Sequence, residues 1–500
     1  MWERVVIAIL IFLALQSVVF FGVWWFQVKN ISNPVPFAML SLATWYGIFR
    51  MFVGWYNLFH IEHPEPLSAP EGLSVAIFTT SSPGEPYEMF VRTLAAARQI
   101  RYPHTTYLLD DTRDPRFAAL AKEMGAVHLE LIGYPGAKAG KINEALKRTR
   151  EDFILVLDPD HVPFPEFLDR VLGYFANPEV GFVQVAQAYY NPPESFVARA
   201  AAEQTFTFYG PIMQGMHGTR TTVAIGANCT FRRTALESIG GHGIGLAEDL
   251  VTSIRLHAAG WSSVYVPEIV ARGLVPSDLG SFLKQQLKWS RGVHDVLFHE
   301  YRRAFRRLSF HQKISYFMIG SYYLVGLTSL IYFAIPLVYL WFGAQPAAMI
   351  LAEYLEHAIP LGLLGLTIYR FSQRWLCDPA RERGWHWRGT LLKLGAWNVY
   401  LRGLWLAVRG VDVPYIPTAK ERKLGNFWRY AAMPVAVMAI SAVTTVVVIY
   451  LRLFRLPESY VRMTTEANWA MIGFLIVNSI FMSGRLWAAW QDRVRPEPED

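Results

Sequence analysis

From Val5 to Phe26 the chain runs about 20 residues without a charged side chain, enough to cross a hydrocarbon core of about 30 Å. A lipid-facing backbone must satisfy its polar groups internally, so this stretch is predicted to be a membrane-spanning helix. A cleaved signal peptide would be shorter and end in a small-residue cleavage site, which is not found here. A second apolar stretch, Pro36 to Phe59, carries Arg50 in its later half, from where a cation reaches the interface or faces a polar path. The same criterion marks Tyr316 to Phe342, Ala347 to Tyr369, Tyr430 to Leu451 and Trp469 to Trp487, giving about six spans. A content of 53% hydrophobic residues with 17 Trp is what such a chain requires.

Between the second and third spans the pattern changes. From about Pro64 to Arg307, short apolar runs alternate with helical periodicity. Ser74 to Thr79, Thr105 to Leu109, Phe153 to Leu157 and Gly181 to Val185 read as buried strands, and Met89 to Gln99 and Arg116 to Met124 as helices. Alternation of this kind predicts a mainly parallel sheet with its ligand beyond the carboxyl ends of the strands. The expected organisation is an N-terminal membrane pair over 1–63, an α/β domain with interface helices over 64–310 and a membrane pair over 311–370. An interface segment over 371–426 and a final membrane pair with a short tail over 427–500 complete it. Arg370 to Arg429 is rich in Arg, Lys and Trp, which places this segment and the α/β domain on the cytoplasmic side. Within it, Trp387 to Val408 reads as an amphipathic helix lying in the interface. The formal charge of +7 is gathered beside apolar segments and not in basic arms, so no nucleic-acid partner is expected. Cys229 and Cys377 are too few and too far apart for a disulfide framework.

The strand ends carry the chemistry. Thr105 to Leu109 delivers Asp110 and Asp111, and Phe153 to Leu157 delivers Asp158-Pro159-Asp160-His161. Asp-x-Asp after a buried strand suits Mg²⁺ or Mn²⁺ held by one or two carboxylates together with phosphate oxygens, although paired Asp residues are also common turn formers. Glu248 and Asp249 precede a helical run, where they either cap the helix or supply a general base, with Asp249 the first candidate and Glu248 the second. Gln285, Lys288, Trp289 and Arg291 combine an amide, cations and an indole just before the membrane; the indole is either a sugar platform or an interface anchor.

These segments, in this order and spacing, resemble the processive family-2 glycosyltransferases, above all bacterial cellulose synthase catalytic subunits and more distantly hyaluronan and chitin synthases. The resemblance rests on Asp110-Asp111, Ala137-Lys138-Ala139-Gly140-Lys141, Asp158-Pro159-Asp160-His161, Glu248-Asp249 and Gln285-x-x-Lys288-Trp289. Tyr415-Ile416-Pro417-Thr418-Ala419-Lys420 looks like the gating loop of cellulose synthases. It implies an α/β GT-A domain of Rossmann type inserted in the helical membrane bundle, in the plasma (inner) membrane. By it, Asp110, Asp111, Lys138, Asp158, Thr418 and Lys420 would bind the nucleotide-sugar donor and Asp158 and Asp160 the metal. Asp249 would activate the acceptor, and Gln285, Lys288, Trp289 and Arg291 would line the acceptor and channel mouth. The implied donor is a UDP-sugar, the acceptor a growing polysaccharide, and an export partner beyond the membrane is a further expectation. Runner-up readings are a non-processive transferase acting on a lipid carrier and a synthase of another polysaccharide.

The sequence also departs from the family pattern. Thr80-Ser81-Ser82 stands where Tyr-Asn-Glu is common, Lys288 replaces an Arg and loses its bidentate fork, and Val223-Ala224-Ile225-Gly226-Ala227 replaces Phe-Phe-Cys-Gly-Ser. About a dozen residues follow the last span, so no C-terminal cyclic-di-GMP-binding domain is expected.

Overall fold

The computed structural model describes residues 2–411, 413, 425, 427–453 and 465–493. The gating-loop candidates Thr418 and Lys420 therefore lie outside the described residues.

Among the described residues ten strands form in chain order: β1 (Val75–Thr80), β2 (Thr105–Asp110), β3 (Val127–Glu130), β4 (Phe153–Val156), β5 (Val162–Pro163), β6 (Val180–Val185), β7 (Ala188–Tyr189), β8 (Cys229–Arg232), β9 (Ser262–Val266) and β10 (Ala271–Gly273). Seven of them build one sheet in the order β3-β2-β1-β4-β8-β6-β9, and β5-β10-β7 form a small second sheet. Every residue of β1, β4 and β6 is buried, as expected of strands covered on both faces. Val75, Ile77, Leu155 and Val183 pack on one side. Ala76, Phe78, Ile154 and Phe182 pack on the other.

The sheet is mainly parallel, as expected, with β8 its one reversed strand. β1 to β4 run parallel, but β8 is antiparallel to both β4 and β6. Cys229 at the start of β8 lies opposite Val156 at the end of β4. The chain thus enters β8 from the carboxyl ends of its neighbours, with no crossover to carry it back to their amino ends, and must run in reverse. This puts the loop before β8, residues 223–228, at the sheet edge where the carboxylates gather.

Five helices among the described residues are long and apolar enough to cross a membrane: Trp2–Trp25, Pro34–Phe59, Phe310–Phe342, Phe427–Leu451 and Ala467–Gln491. The expected sixth span falls on the helix Leu351–Ser372, which packs along Trp2–Trp25 but carries Glu353, Glu356 and Arg370 and is less apolar than the five. The interface segment is two helices, Trp387–Gly395 and Trp397–Val408, broken at Ala396 where one was expected.

Candidate active site

Asp110 ends β2 almost fully buried. It accepts hydrogen bonds from the Ser81 hydroxyl (2.5 Å), the Thr112 amide (2.9 Å), the Thr112 hydroxyl (2.8 Å) and His128 Nε2 (2.9 Å). Burial alone would push this carboxyl up, but the donors from Ser81, His128 and Thr112 together outweigh it and hold it below the usual range. Asp111 is more open; its Oδ1 accepts the Gly133 amide at 2.8 Å and its Oδ2 lies 3.7 Å from the Lys141 ammonium.

Lys138 and Lys141, one helical turn apart on Ala137–Arg148, are both buried and point to the strand ends. Gly140 permits this arrangement, because a Cβ there would lie 2.0 Å from the Pro135 carbonyl oxygen of the preceding loop. Lys141 donates to the Ser81 carbonyl and to the Ser82 hydroxyl. Its burial, only partly offset by Asp111, Glu85 and Asp110, lowers its pKa. Lys138 donates to Asp158 Oδ1 and to the Gly226 carbonyl. Burial pulls its pKa down, but Asp158, Glu248 and Asp249 prevail and hold the ammonium above its ordinary value.

Asp158, Asp160 and His161 follow β4. Ligating atoms of the three all lie within 4.8 Å of one another. Two carboxylates and an imidazole are a donor set that a divalent cation accepts, and the cluster is compact enough to hold one. Asp158 keeps 31% of its side chain exposed, whereas Asp160 is buried with His161 Nδ1 3.2 Å from its Oδ1. The other ring nitrogen of His161 lies 3.1 Å from the Gln187 amide, whose oxygen accepts the Tyr209 hydroxyl at 3.0 Å. This network orients the imidazole from behind.

Glu248 and Asp249 open the helix Glu248–Ala258. The Asp249 carboxyl is pushed up to about 7, first by burial and then by Glu248, against the lowering effects of the Leu250 amide and of Lys138. Its Oδ1 accepts that amide at 2.8 Å. Gly226, at φ +87°, faces it: a Cβ there would stand 3.3 Å from Asp249 Oδ2. Lys138 therefore ties together Asp158, the Gly226 loop and the acidic pair, and a carboxyl with a pKa near neutrality sits beside a candidate metal site.

A model described as "Glycosyl transferase family group 2" matches residues 153–354. The cellulose synthase catalytic subunit (UDP-forming) of Komagataeibacter sucrofermentans is 29% identical over 337 residues, covering 64% of this chain and 44% of the relative. Cellulose synthase 1 of Komagataeibacter xylinus is 30% identical over 335 residues, covering 64% of this chain and 22% of the relative. Over these residues the chain is similar to family-2 glycosyltransferases and, among them, to cellulose synthase catalytic subunits. It spans less than half the length of these curated relatives. In fold, the chain is similar to a mannosyltransferase from Pyrobaculum calidifontis solved with GDP-Man and Mn²⁺, with a TM-score of 0.52 and 14% identity over 75% of this chain and all of that one.

The remaining predicted site residues among the described ones lie on the helix Leu279–Asp295. At Gly292 this helix passes so close to the residue before Glu248 that a Cβ would stand 3.0 Å from the Ala247 amide nitrogen. Gln285, Lys288 and Trp289 are partly buried, and Trp289 packs against the cluster that holds Ala247 and Leu250. Arg291 turns elsewhere, pairing with Asp295 at 2.8 Å and donating to the Val411 carbonyl at 3.3 Å. Sequence reasoning missed the clamp that Ser81, Thr112 and His128 place on Asp110, because those residues come from three separate segments. It also passed over Lys141 and His161 as site residues. The first repeats Lys138 one turn later and the second adjoins the Asp pair, so both signals were present.

Proposed function

We propose that this glycosyltransferase is processive and inverting, polymerising a UDP-sugar, UDP-glucose in the first instance, into a cellulose-like or related β-glucan. The polymer is passed across the membrane from a cytoplasmic catalytic domain. One observation carries the reading: the Asp249 carboxyl, raised to about 7, and the Asp158-Asp160-His161 cluster meet through one buried ammonium, Lys138. An inverting transfer needs a base beside the acceptor hydroxyl and cationic neutralisation beside the departing diphosphate, and such an arrangement supplies both.

In this mechanism Asp249 accepts the proton of the acceptor hydroxyl while Glu248 keeps its basicity high. Asp158, Asp160 and His161 would hold Mg²⁺ or Mn²⁺, which would supply Lewis-acid neutralisation of the diphosphate. Asp110, Asp111 and Lys138 bind the nucleotide side, and Thr418 and Lys420, which lie outside the described residues, are assigned to donor binding by the family resemblance. Gln285, Lys288 and Trp289 orient the terminal sugar, the indole by stacking, and Arg291 steadies their helix. A partner beyond the membrane receives the polymer.

The test is incorporation of radiolabel from UDP-glucose, UDP-N-acetylglucosamine or GDP-mannose by the protein in nanodiscs with Mg²⁺ or Mn²⁺, followed by digestion with linkage-specific glucanases. Long glucanase-sensitive product from UDP-glucose is expected. A product of one sugar on a lipid overturns processivity, and polymer from another donor overturns the assignment of glucose.

A further inference from the structure

The segment joining the catalytic domain to the Phe310–Phe342 helix carries a dense group of cations outside the active site. Arg302, Arg303, Arg306 and Arg307 are all exposed, within a few residues of the start of that apolar helix. The only acidic side chain beside them in sequence is Glu300, which is held by Arg255 through two contacts of 2.9 and 3.0 Å and by Arg303 at 3.1 Å. Large apolar side chains are interleaved with the arginines: Phe305 is 44% exposed and Phe310 71%. Lys313, one turn into the helix, lies 4.9 Å from the centre of the Phe305 ring and adds a fifth cation.

The depth of this group in the bilayer follows from the chain. Ser309 caps the helix with a capping box, so helical backbone starts at Phe310, three residues after Arg307. The Tyr56 hydroxyl, at the end of the Pro34–Phe59 helix, contacts His311 Nδ1. The end of one span and the start of another thus lie at the same level. Exposed arginines at that level stand beside lipid headgroups, while exposed Phe residues among them are suited to the boundary below. Against zwitterionic lipid such a group gains little. Against anionic lipid each arginine close to the surface adds about fivefold in association.

We propose that Arg302, Arg303, Arg306 and Arg307, with Phe305 and Phe310, form a docking patch for anionic phospholipid headgroups. The patch is joined to the active site, because Glu300 bridges it to Arg255 on the helix that begins at Glu248.

The test measures immobilisation of spin-labelled phosphatidylglycerol and phosphatidylcholine around the full chain in liposomes, and needs no enzymatic activity. Wild type should prefer phosphatidylglycerol, and Arg302→Gln/Arg303→Gln/Arg306→Gln/Arg307→Gln should lose at least about fivefold of that preference, the share of one arginine. A distal quadruple change of exposed residues, Arg98→Gln/Lys122→Gln/Lys147→Gln/Arg150→Gln, should leave it intact. Should the first variant misfold, Arg302→Gln/Arg306→Gln and the salt dependence of wild type replace it, since exposed charges are screened over about 8 Å at physiological salt. Equal association of the two lipids with wild type overturns the proposal, as does preference retained in the patch variants or lost equally in the distal one. Preference abolished by inorganic phosphate, but not by chloride at equal ionic strength, assigns the patch to free phosphate and also overturns it.

Discussion

Replacing Asp249 with Asn should abolish transfer and at the same time stabilise the protein at alkaline pH. The rise of the Asp249 carboxyl from 3.8 to about 7 corresponds to about 4 kcal/mol between its two protonation states. A carboxyl whose folded pKa lies above its unfolded value binds its proton more tightly in the folded chain. Its favourable share of stability is therefore complete below about pH 4 and is lost as pH climbs through about 7. Asn keeps an oxygen for the Leu250 amide, which Asp249 now accepts at 2.8 Å, and carries no charge to bury. Asp249→Asn should thus match wild type near pH 4 and exceed it by up to about 4 kcal/mol at pH 8 and above. Thermal denaturation followed by intrinsic fluorescence across that pH range reads the difference, with Glu248→Gln as a parallel because Glu248 is the second cause of the shift. Wild-type turnover should rise with pH through about 7 as the base ionises. A stability difference between Asn and Asp that does not change with pH would refute the assignment of the raised carboxyl to Asp249.

Lys138→Met removes the ammonium that lowers the Asp249 pKa, so the acid limb of the pH–rate profile should move to higher pH; an unmoved limb would separate Lys138 from the base. The same change leaves Asp158 without its buried partner, and a loss of about 3–5 kcal/mol in denaturation is expected. Gly226→Ala places a methyl at φ +87° and 3.3 Å from Asp249 Oδ2. It should cost about 1–2 kcal/mol of stability and depress kcat more than the donor KM, whereas an unchanged kcat would show that the loop can yield without moving the base. Tyr316→Phe strips a buried ring nitrogen of His257 of its partner at 2.7 Å, and a loss of about 1–3 kcal/mol should appear in the same denaturation assay.

The site was legible where the sequence marks direction. An apolar run that stops at Asp110 or at Asp158 declares both a buried strand and its carboxyl end, and parallel neighbours bring such ends together. The four-residue strand Cys229–Arg232 declares no direction, so its reversal was not readable, nor was the approach of Gly226 to Asp249 that the reversal produces. Contacts made by side chains from distant segments were equally hidden: Ser81 and His128 meet Asp110 only because β1 and β3 flank β2. The interface helix was seen by composition, but its break at Ala396 depends on packing, since Gly395 abuts Arg485 of the Ala467–Gln491 helix.

The helix that carries Asp249 is joined to the membrane helices by its own side chains. Arg255 grips Glu300 with both arms of its guanidinium, and His257, pulled down to about 4 by burial and hence neutral, links Tyr316 to Ser263. Nearby, the Thr221 and Ser315 hydroxyls meet at 2.8 Å. On the other side, Gly215 and Gly218 admit the end of the Pro34–Phe59 helix so closely that a Cβ would lie 2.2 Å from the Asn57 carbonyl oxygen or 1.9 Å from that of His60. Close-packed joints of this kind transmit displacement and do not absorb it. The helix Leu279–Asp295 continues into the π-turn Val296–Glu300, a wider turn of the kind found at functional sites. It leaves that turn at Glu300, the residue shared by Arg255 and the arginine patch. At Gly292 the same helix is itself close-packed on Ala247, so the elements that carry Trp289 and Asp249 are held in fixed relation to one another.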